Sequence, residues 1–304
     1  MWPNAPLVTV AVYVVVALCW SGSWTFGKLG VAVIPPLEMS AVRFALGSVL
    51  LILIALATRT PLRIAKPWLA VLAAAFGILG YNALVFVGLT LAPASDGALI
   101  VPTINPVLTA VFATFIGERL TANRIAGLGI ASVGALLVIA IASGLTFSGE
   151  RLVGDLLMLG GAACWSVYVL LGAITMRGGS PLGVTAIASV AGTAMLLPLG
   201  LLERGYADVP SWSAAAWLDV AYLALFGTTI SFVLFYWAVQ RFGAGLASMV
   251  SYLVPVFALV QAITILGERP EPLEIVGGAI ILVGVRVATL RFRPETALEE
   301  VTPA

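Results

Sequence analysis

Asn105-Pro106-Val107, closed further on by Gly117-Glu118-Arg119, is a stretch the chain carries twice; the second copy is Val254-Pro255-Val256, closed by Gly267-Glu268-Arg269. Each copy is a long apolar run with a proline inside it. Each ends in Gly-Glu-Arg and is followed by another apolar run dotted with glycine. Gly127 and Gly134 follow the first Glu-Arg as Gly277 and Gly284 follow the second. The offset is 149 at the prolines and 150 at the glutamates and at both glycine pairs. Upstream, Ala17-Leu18-Cys19-Trp20-Ser21 is echoed by Ala162-Ala163-Cys164-Trp165-Ser166, at offset 145. A long internal repeat of this kind means two halves of like design.

Composition sets the class. The chain is 61% hydrophobic and 10% charged, whereas a soluble domain is roughly half apolar and about a quarter charged. Such a chain cannot cover its surface with polar groups, and in lipid it need not. A net charge of +1 gives no hint of a nucleic-acid partner. There is no histidine and no zinc-like cluster. Cys19 and Cys164 sit in apolar runs at matching repeat positions and read as free packing residues.

A bilayer core needs about 20 apolar residues per helix, and by that measure the sequence predicts ten spans. The first half gives 7–30, 36–57, 67–90, 95–116 and 122–141; the second gives 152–175, 181–202, 213–239, 244–266 and 273–290. Pro36, Pro67 and Pro181 open their spans, where proline suits a helix's first turn. The first run is too long for a signal-peptide core and stays as a span. The connections at 143–151 and 203–212 are the longest, and neither can hold a folded domain. The acidic tail 294–304 is expected to be disordered.

Basic residues orient the chain. With a cytoplasmic N-terminus, the inside segments hold Arg59, Arg63, Lys66, Arg119, Arg124, Arg177, Arg241, Arg286, Arg291 and Arg293. The outside segments hold only Lys28, Arg151, Arg204 and Arg269. The positive-inside rule therefore places both termini in the cytoplasm. Five spans per half is an odd number, so the second half crosses the membrane upside down. The expected fold is an all-α polytopic membrane protein: ten transmembrane helices as two inverted five-helix repeats, 1–143 and 151–293, around a central cavity. Secondary transporters are commonly built this way, with the site near the midplane between the repeats.

The sequence resembles the drug/metabolite transporter superfamily, in its EamA-type branch. The likeness is carried by Trp20-Ser21-Gly22-Ser23 with Lys28, and by Pro35-Pro36 followed by Arg43-Phe44. Pro106 through Gly117-Glu118, Gly127 and Gly134 add to it, and Pro255, Gly267-Glu268, Gly277 and Gly284 repeat them. It covers nearly the whole chain. It implies a multi-pass protein of the bacterial inner membrane moving a small molecule. Length and aromatic content resemble the branch's exporters of aromatic amino acids. The second half departs from the pattern, because Arg43 has no basic counterpart near Ser189.

The candidate site residues follow from what is unusual inside the spans. Pro102, Pro106 and Pro255 each remove a backbone hydrogen bond. Their recurrence in both halves favours cavity-lining or hinge positions over static kinks. Trp20 and Trp24 share a helix face, as do Trp165 and Tyr168. Tyr81 with Asn82, Trp237, and Ser251 with Tyr252 add further mid-span rings and polar tips. Each ring either stacks on a ligand or packs between helices. Arg43 lies about 10 Å into its helix at 1.5 Å per residue. Two readings stand for it: a structural pair with Glu38 or Asp96, or a grip on a substrate carboxylate. Asn82, Thr103 and Asn105 can bond a zwitterion or hold helices together. Glu118 and Glu268 end their spans and are read as structural turn-fixing acceptors. The glycines of the fifth and tenth spans suit close packing, either in a homodimer seam or in a peripheral scaffold.

An enzyme would need a positioned acid, base, nucleophile or metal, and the spans offer no such cluster. No P-loop follows a strand, so ATP is not the direct energy source and no cofactor is expected. No ring of repeated charges suggests a channel filter. The sequence therefore points to a carrier in the lipid bilayer for a neutral or aromatic amino acid, working by alternating access.

Overall fold

The computed structural model of the chain describes residues 5–62, 64–92, 94–142, 149–265 and 272–289; among them there is no strand. The first half supplies α1 (Ala5–Val31), α2 (Pro36–Ala57), α3 (Pro67–Leu91), α4 (Ala94–Thr114) and α5 (Ala122–Ala142). The second supplies α6 (Gly149–Thr175), α7 (Pro181–Glu203) and α8 (Ala214–Phe242). α9 follows in three pieces, Ala244–Ala247, a 3₁₀ stretch Ser248–Tyr252, and Leu253–Ile265. α10 is Pro272–Thr289. Among the described residues, six helices are long and apolar enough to cross a bilayer. Their outer faces carry bare Leu, Val and Phe side chains, with Leu56 67% and Leu202 81% exposed. Lipid accepts these without penalty, so this is a multi-pass membrane fold.

The observed ends lie within a few residues of those expected from the sequence, because proline and serine fix several of them. Pro36, Pro67 and Pro181 stand in first turns. Ser180 Oγ accepts from Gly183 N at 3.0 Å, and Ser213 Oγ accepts from Ala216 N at 3.2 Å, capping α7 and α8. The two proline-bearing helices differ from each other. α4 is helical throughout, with Pro102 and Pro106 inside it. α9 instead tightens to 3₁₀ just before Pro255, whose missing N–H leaves the Ser251 carbonyl without its usual helical donor.

Within α3 and α8 one turn is widened to a π-helix, at Ala75–Gly80 and Leu225–Ile230. The two turns are 150 residues apart, so they occupy matching places in the halves. Each receives a side chain at a glycine. Tyr168 of α6 fills the space over Gly77, and Ser23 of α1 lies over Gly227. Other contacts come in the same exchanged pairs. Phe86 lies on Gly27 as Tyr236 lies on Gly172, and Thr228 lies on Gly47 as Ile78 lies on Gly192.

α2 and α7 run antiparallel. Glu203 at the end of α7 accepts from Leu37 N and Glu38 N at 2.9 Å each, at the start of α2. Further along, Ser48 and Thr193 share a hydrogen bond of 3.2 Å. α1 packs on α8 and α9, while α6 packs on α3 and α4. α5 and α10 form the tightest pair. Gly127 meets Gly284 and Ala288, and Gly134 meets Gly277 and Ile281. Of the glycines expected in a homodimer seam or peripheral scaffold, Gly127, Gly134 and Gly284 are thus packed within the chain, while a Cβ at Gly129 or Gly278 would meet nothing within 4 Å. The end at which α2 begins is called the near end below, and the end at which it finishes the far end.

Candidate functional site

A cavity opens where the two halves meet. It holds about 630 Å³ of atom-free space, its open mouth included, and is lined from α1, α2, α3, α4, α6, α8 and α9. Of the residues singled out in the sequence, it brings together Trp20, Trp24, Arg43, Tyr81, Pro102, Asn105, Trp165 and Ser251. Trp20 and Trp165, repeat mates 145 apart, meet edge to face with centroids 5.4 Å apart. Tyr81 and Phe232 lean on Trp165 at 5.3 and 5.2 Å. Each such contact is worth about 0.5–1.5 kcal/mol beyond burial, which holds the rings as a stiff wall.

Among the described residues that line the cavity, Arg43 is the one with a formal charge. It is 5% exposed, and its Nε has no hydrogen-bond partner. Its guanidinium carbon stands 4.8 Å from the Phe44 ring centre and 5.4 Å from that of Phe86. Ring faces offset part of the cost of desolvating a cation. Glu38 does not complete the pair considered from the sequence. It is fully buried under the loop after α7, next to Glu203, Arg204, Tyr206 and Asp208. Among the described residues Arg43 forms no salt bridge. Asn105 Oδ1 is likewise buried without a partner. Among the described residues the cavity thus offers a cation and an amide acceptor without partners between aromatic walls; the side chain of Asp96, the other partner considered for Arg43, lies outside them.

The other candidates lie elsewhere. Asn82 is fully buried and donates to Ile78 O at 2.6 Å. Thr103 is buried in α4 off the cavity. Tyr168 and Tyr236 lie on the far side of Trp165. Trp237 packs edge-on against Phe242, under Arg241. Tyr252 is fully buried against α5, where its hydroxyl pairs with Ser132 Oγ at 2.9 Å. Pro106 and Pro255 do not line the cavity themselves. The carbonyls they deprive of a helical donor belong to Pro102 and Ser251, which do.

Glu118 is where the repeated Gly-Glu-Arg motif explains itself. Gly117 and Gly243 both adopt positive φ, 91° and 84°, which glycine alone takes freely. Glu118 then reaches across the halves and accepts from Ala244 N at 2.6 Å and Gly245 N at 3.1 Å, at the start of α9. Arg124 Nη1 stands 3.4 Å from Glu118 Oε2. Glu118 thus caps the start of α9; Glu268 lies outside the described residues.

The sequence reading missed Ser23, Phe86, Gly227 and Phe232 as lining residues. One signal was available: Phe76-Gly77 and Phe226-Gly227 repeat at offset 150 and mark the two π-helical turns.

The EamA-like transporter family model matches residues 7–140 and again residues 152–290. The chain belongs to this family, the EamA-type branch of the drug/metabolite transporters. It is 28% identical over 279 residues to the uncharacterized transporter YyaM of Bacillus subtilis, covering 88% of each chain. It is 33% identical over 282 residues to a probable terminal-alkyne amino-acid exporter of Streptantibioticus cattleyicolor, covering 91% of this chain and 92% of that one. The uncharacterized inner membrane transporter YedA of Escherichia coli is 28% identical over 282 residues. A crystal structure 24% identical in sequence superposes with a TM-score of 0.77, covering 93% of this chain and 96% of the other, and so shares the fold.

Proposed function

We propose that the chain is an inner-membrane secondary transporter that exports aromatic and other neutral amino acids by alternating access. The single observation carrying this is the cavity's chemistry. Among the described residues, Arg43 offers a guanidinium with no ion pair for a carboxylate, Asn105 Oδ1 an unpaired acceptor for an ammonium, and Trp20, Trp24 and Trp165 a wall for an apolar side chain. A second carboxylate on the ligand would meet no second cation among the described lining residues, so glutamate and aspartate are disfavoured. The Streptantibioticus relative, named for amino-acid export, supports the substrate class.

The same reading takes residues 1–143 and 151–293 as two five-helix repeats of opposite orientation, giving ten spans with both termini in the cytoplasm. The exchanged contacts support this. A pair such as Phe86 on Gly27, carried over by the repeat offsets, returns Tyr236 on Gly172. The test is flux in liposomes of purified protein, preloaded with phenylalanine, tryptophan, threonine or glutamate. Saturable exchange of the first three with little movement of glutamate is expected. Saturable flux of organic cations or nucleotide sugars, with none of any amino acid, would overturn the substrate and leave the carrier.

A further inference from the structure

The two sides of the cavity are built from matching residues that pack alike on their glycines, but only the near-side pair reaches the open space. On the near side, Ser23 and Phe86 line the open space. Their repeat mates, offset 145 and 150, are Tyr168 and Tyr236. On the far side these two lie behind Trp165 and do not reach the open space. Tyr168 is 1% exposed and Tyr236 fully buried, with ring centroids 5.1 Å apart. Tyr236 OH donates to the Tyr168 carbonyl at 3.2 Å. Tyr168 sits in the π-helical turn at Gly77, and Tyr236 sits on Gly172.

From this asymmetry we propose that Tyr168 and Tyr236 are the residues that hold the cavity shut toward the far end. Transport would then close the open space beside Ser23 and Phe86 while the tyrosine pair parts. The proposal rests on the alternating-access reading above and adds the positioning residues that decide which side is open. Two further facts fit. The Tyr168 hydroxyl is buried with no partner, so parting the pair gives it water and recovers a lost hydrogen bond. The near-side mate of Tyr236 is Phe86, which has no hydroxyl to form an equivalent lock. A π-helical turn on each side supplies a backbone that can shift register locally, a use such turns often have at functional sites.

The test uses full-length protein with Cys19→Ala and Cys164→Ala, carrying one reporter cysteine at a time. Ser23→Cys reports the near side. Thr175→Cys, buried on α6 one turn beyond Gly172, reports the far side. A water-soluble maleimide should label Ser23→Cys and spare Thr175→Cys. Adding Tyr236→Phe removes one hydrogen bond, and labelling of Thr175→Cys should rise by roughly two- to tenfold while labelling of Ser23→Cys falls. The reverse change, Phe86→Tyr, should protect Ser23→Cys further and supplies the answer if Tyr236→Phe fails to fold. No change at Thr175→Cys, or a rise at both reporters, overturns the proposal. Reciprocal labelling in a protein that moves no amino acid would uphold the tyrosine pair and remove the substrate. Amino-acid flux without reciprocity would do the opposite.

Discussion

Arg43 and Glu118 show how the same kind of charged residue serves two ends. Arg43 is held among rings with no carboxylate beside it among the described residues, a costly arrangement unless a ligand supplies the counter-charge. If it grips a carboxylate, Arg43→Gln removes a charge-assisted bond worth about 1.5–3 kcal/mol. Binding of an aromatic amino acid, read by tryptophan fluorescence, should weaken roughly 10- to 150-fold by that energy, while the matching amine is nearly unaffected. Equal losses for both ligands, with a lowered melting temperature, would make Arg43 structural. Glu118 already has its partners, the Ala244 and Gly245 amides and Arg124. Glu118→Ala leaves those amides uncapped, and a loss of about 1–3 kcal/mol in stability is expected, with ligand affinity unchanged once folded. At this scale the sequence was informative where a residue was out of place for lipid, as Arg43 is. It offered Trp237, Tyr168 and Tyr252 as site rings but could not say where each points, because a ring on a helix packs inward or faces a cavity according to neighbours far away in the chain. Ser23 and Gly227 were hidden for the opposite reason: small residues in a membrane helix look like packing.

The elements were legible nearly to the residue, and the cause is physical. An apolar run must be helical in lipid, and proline and serine fix its beginning. What the pattern could not show was the interior of a helix. The π-helical turns in α3 and α8 and the 3₁₀ stretch in α9 depend on what packs against them. The glycines of α5 and α10 make a sharper case, because their spacing suited a partner outside the chain as well as one within. Gly127 and Gly129 separate the two by experiment. A Cβ at Gly127 would stand 2.6 Å from the Gly284 carbonyl oxygen, whereas one at Gly129 meets nothing within 4 Å. Gly127→Ala should push α10 away and cost about 1–3 kcal/mol. Gly129→Ala should be neutral or stabilise by up to about 1 kcal/mol, because alanine favours the helix. Melting temperatures in detergent compare them directly. Equal effects would mean that the α5–α10 contact does not support the fold.

Across the whole molecule, the halves are joined by contacts that each half returns to the other. α1 rests on α8 and α9 as α6 rests on α3 and α4, and α2–α7 and α5–α10 pair with themselves across the centre. An arrangement of that kind places a cavity on the meeting line. It also allows one chain to have two alternative packings of similar energy, open on one side or the other. The sequence repeat announced the two halves, but the drift of its offset from 145 to 150 hid which residues are mates until the packing was seen. The central claim is that the two halves cross the membrane in opposite senses around this cavity. Cysteines at Thr58, exposed at the far end of α2, and at Asp208, exposed in the loop after α7, test it most directly. They are placed singly in protein lacking Cys19 and Cys164, and labelled with an impermeant maleimide from each side of the membrane. Thr58→Cys should react only from the cytoplasmic side and Asp208→Cys only from the outer side; labelling of both from one side would contradict the inverted arrangement.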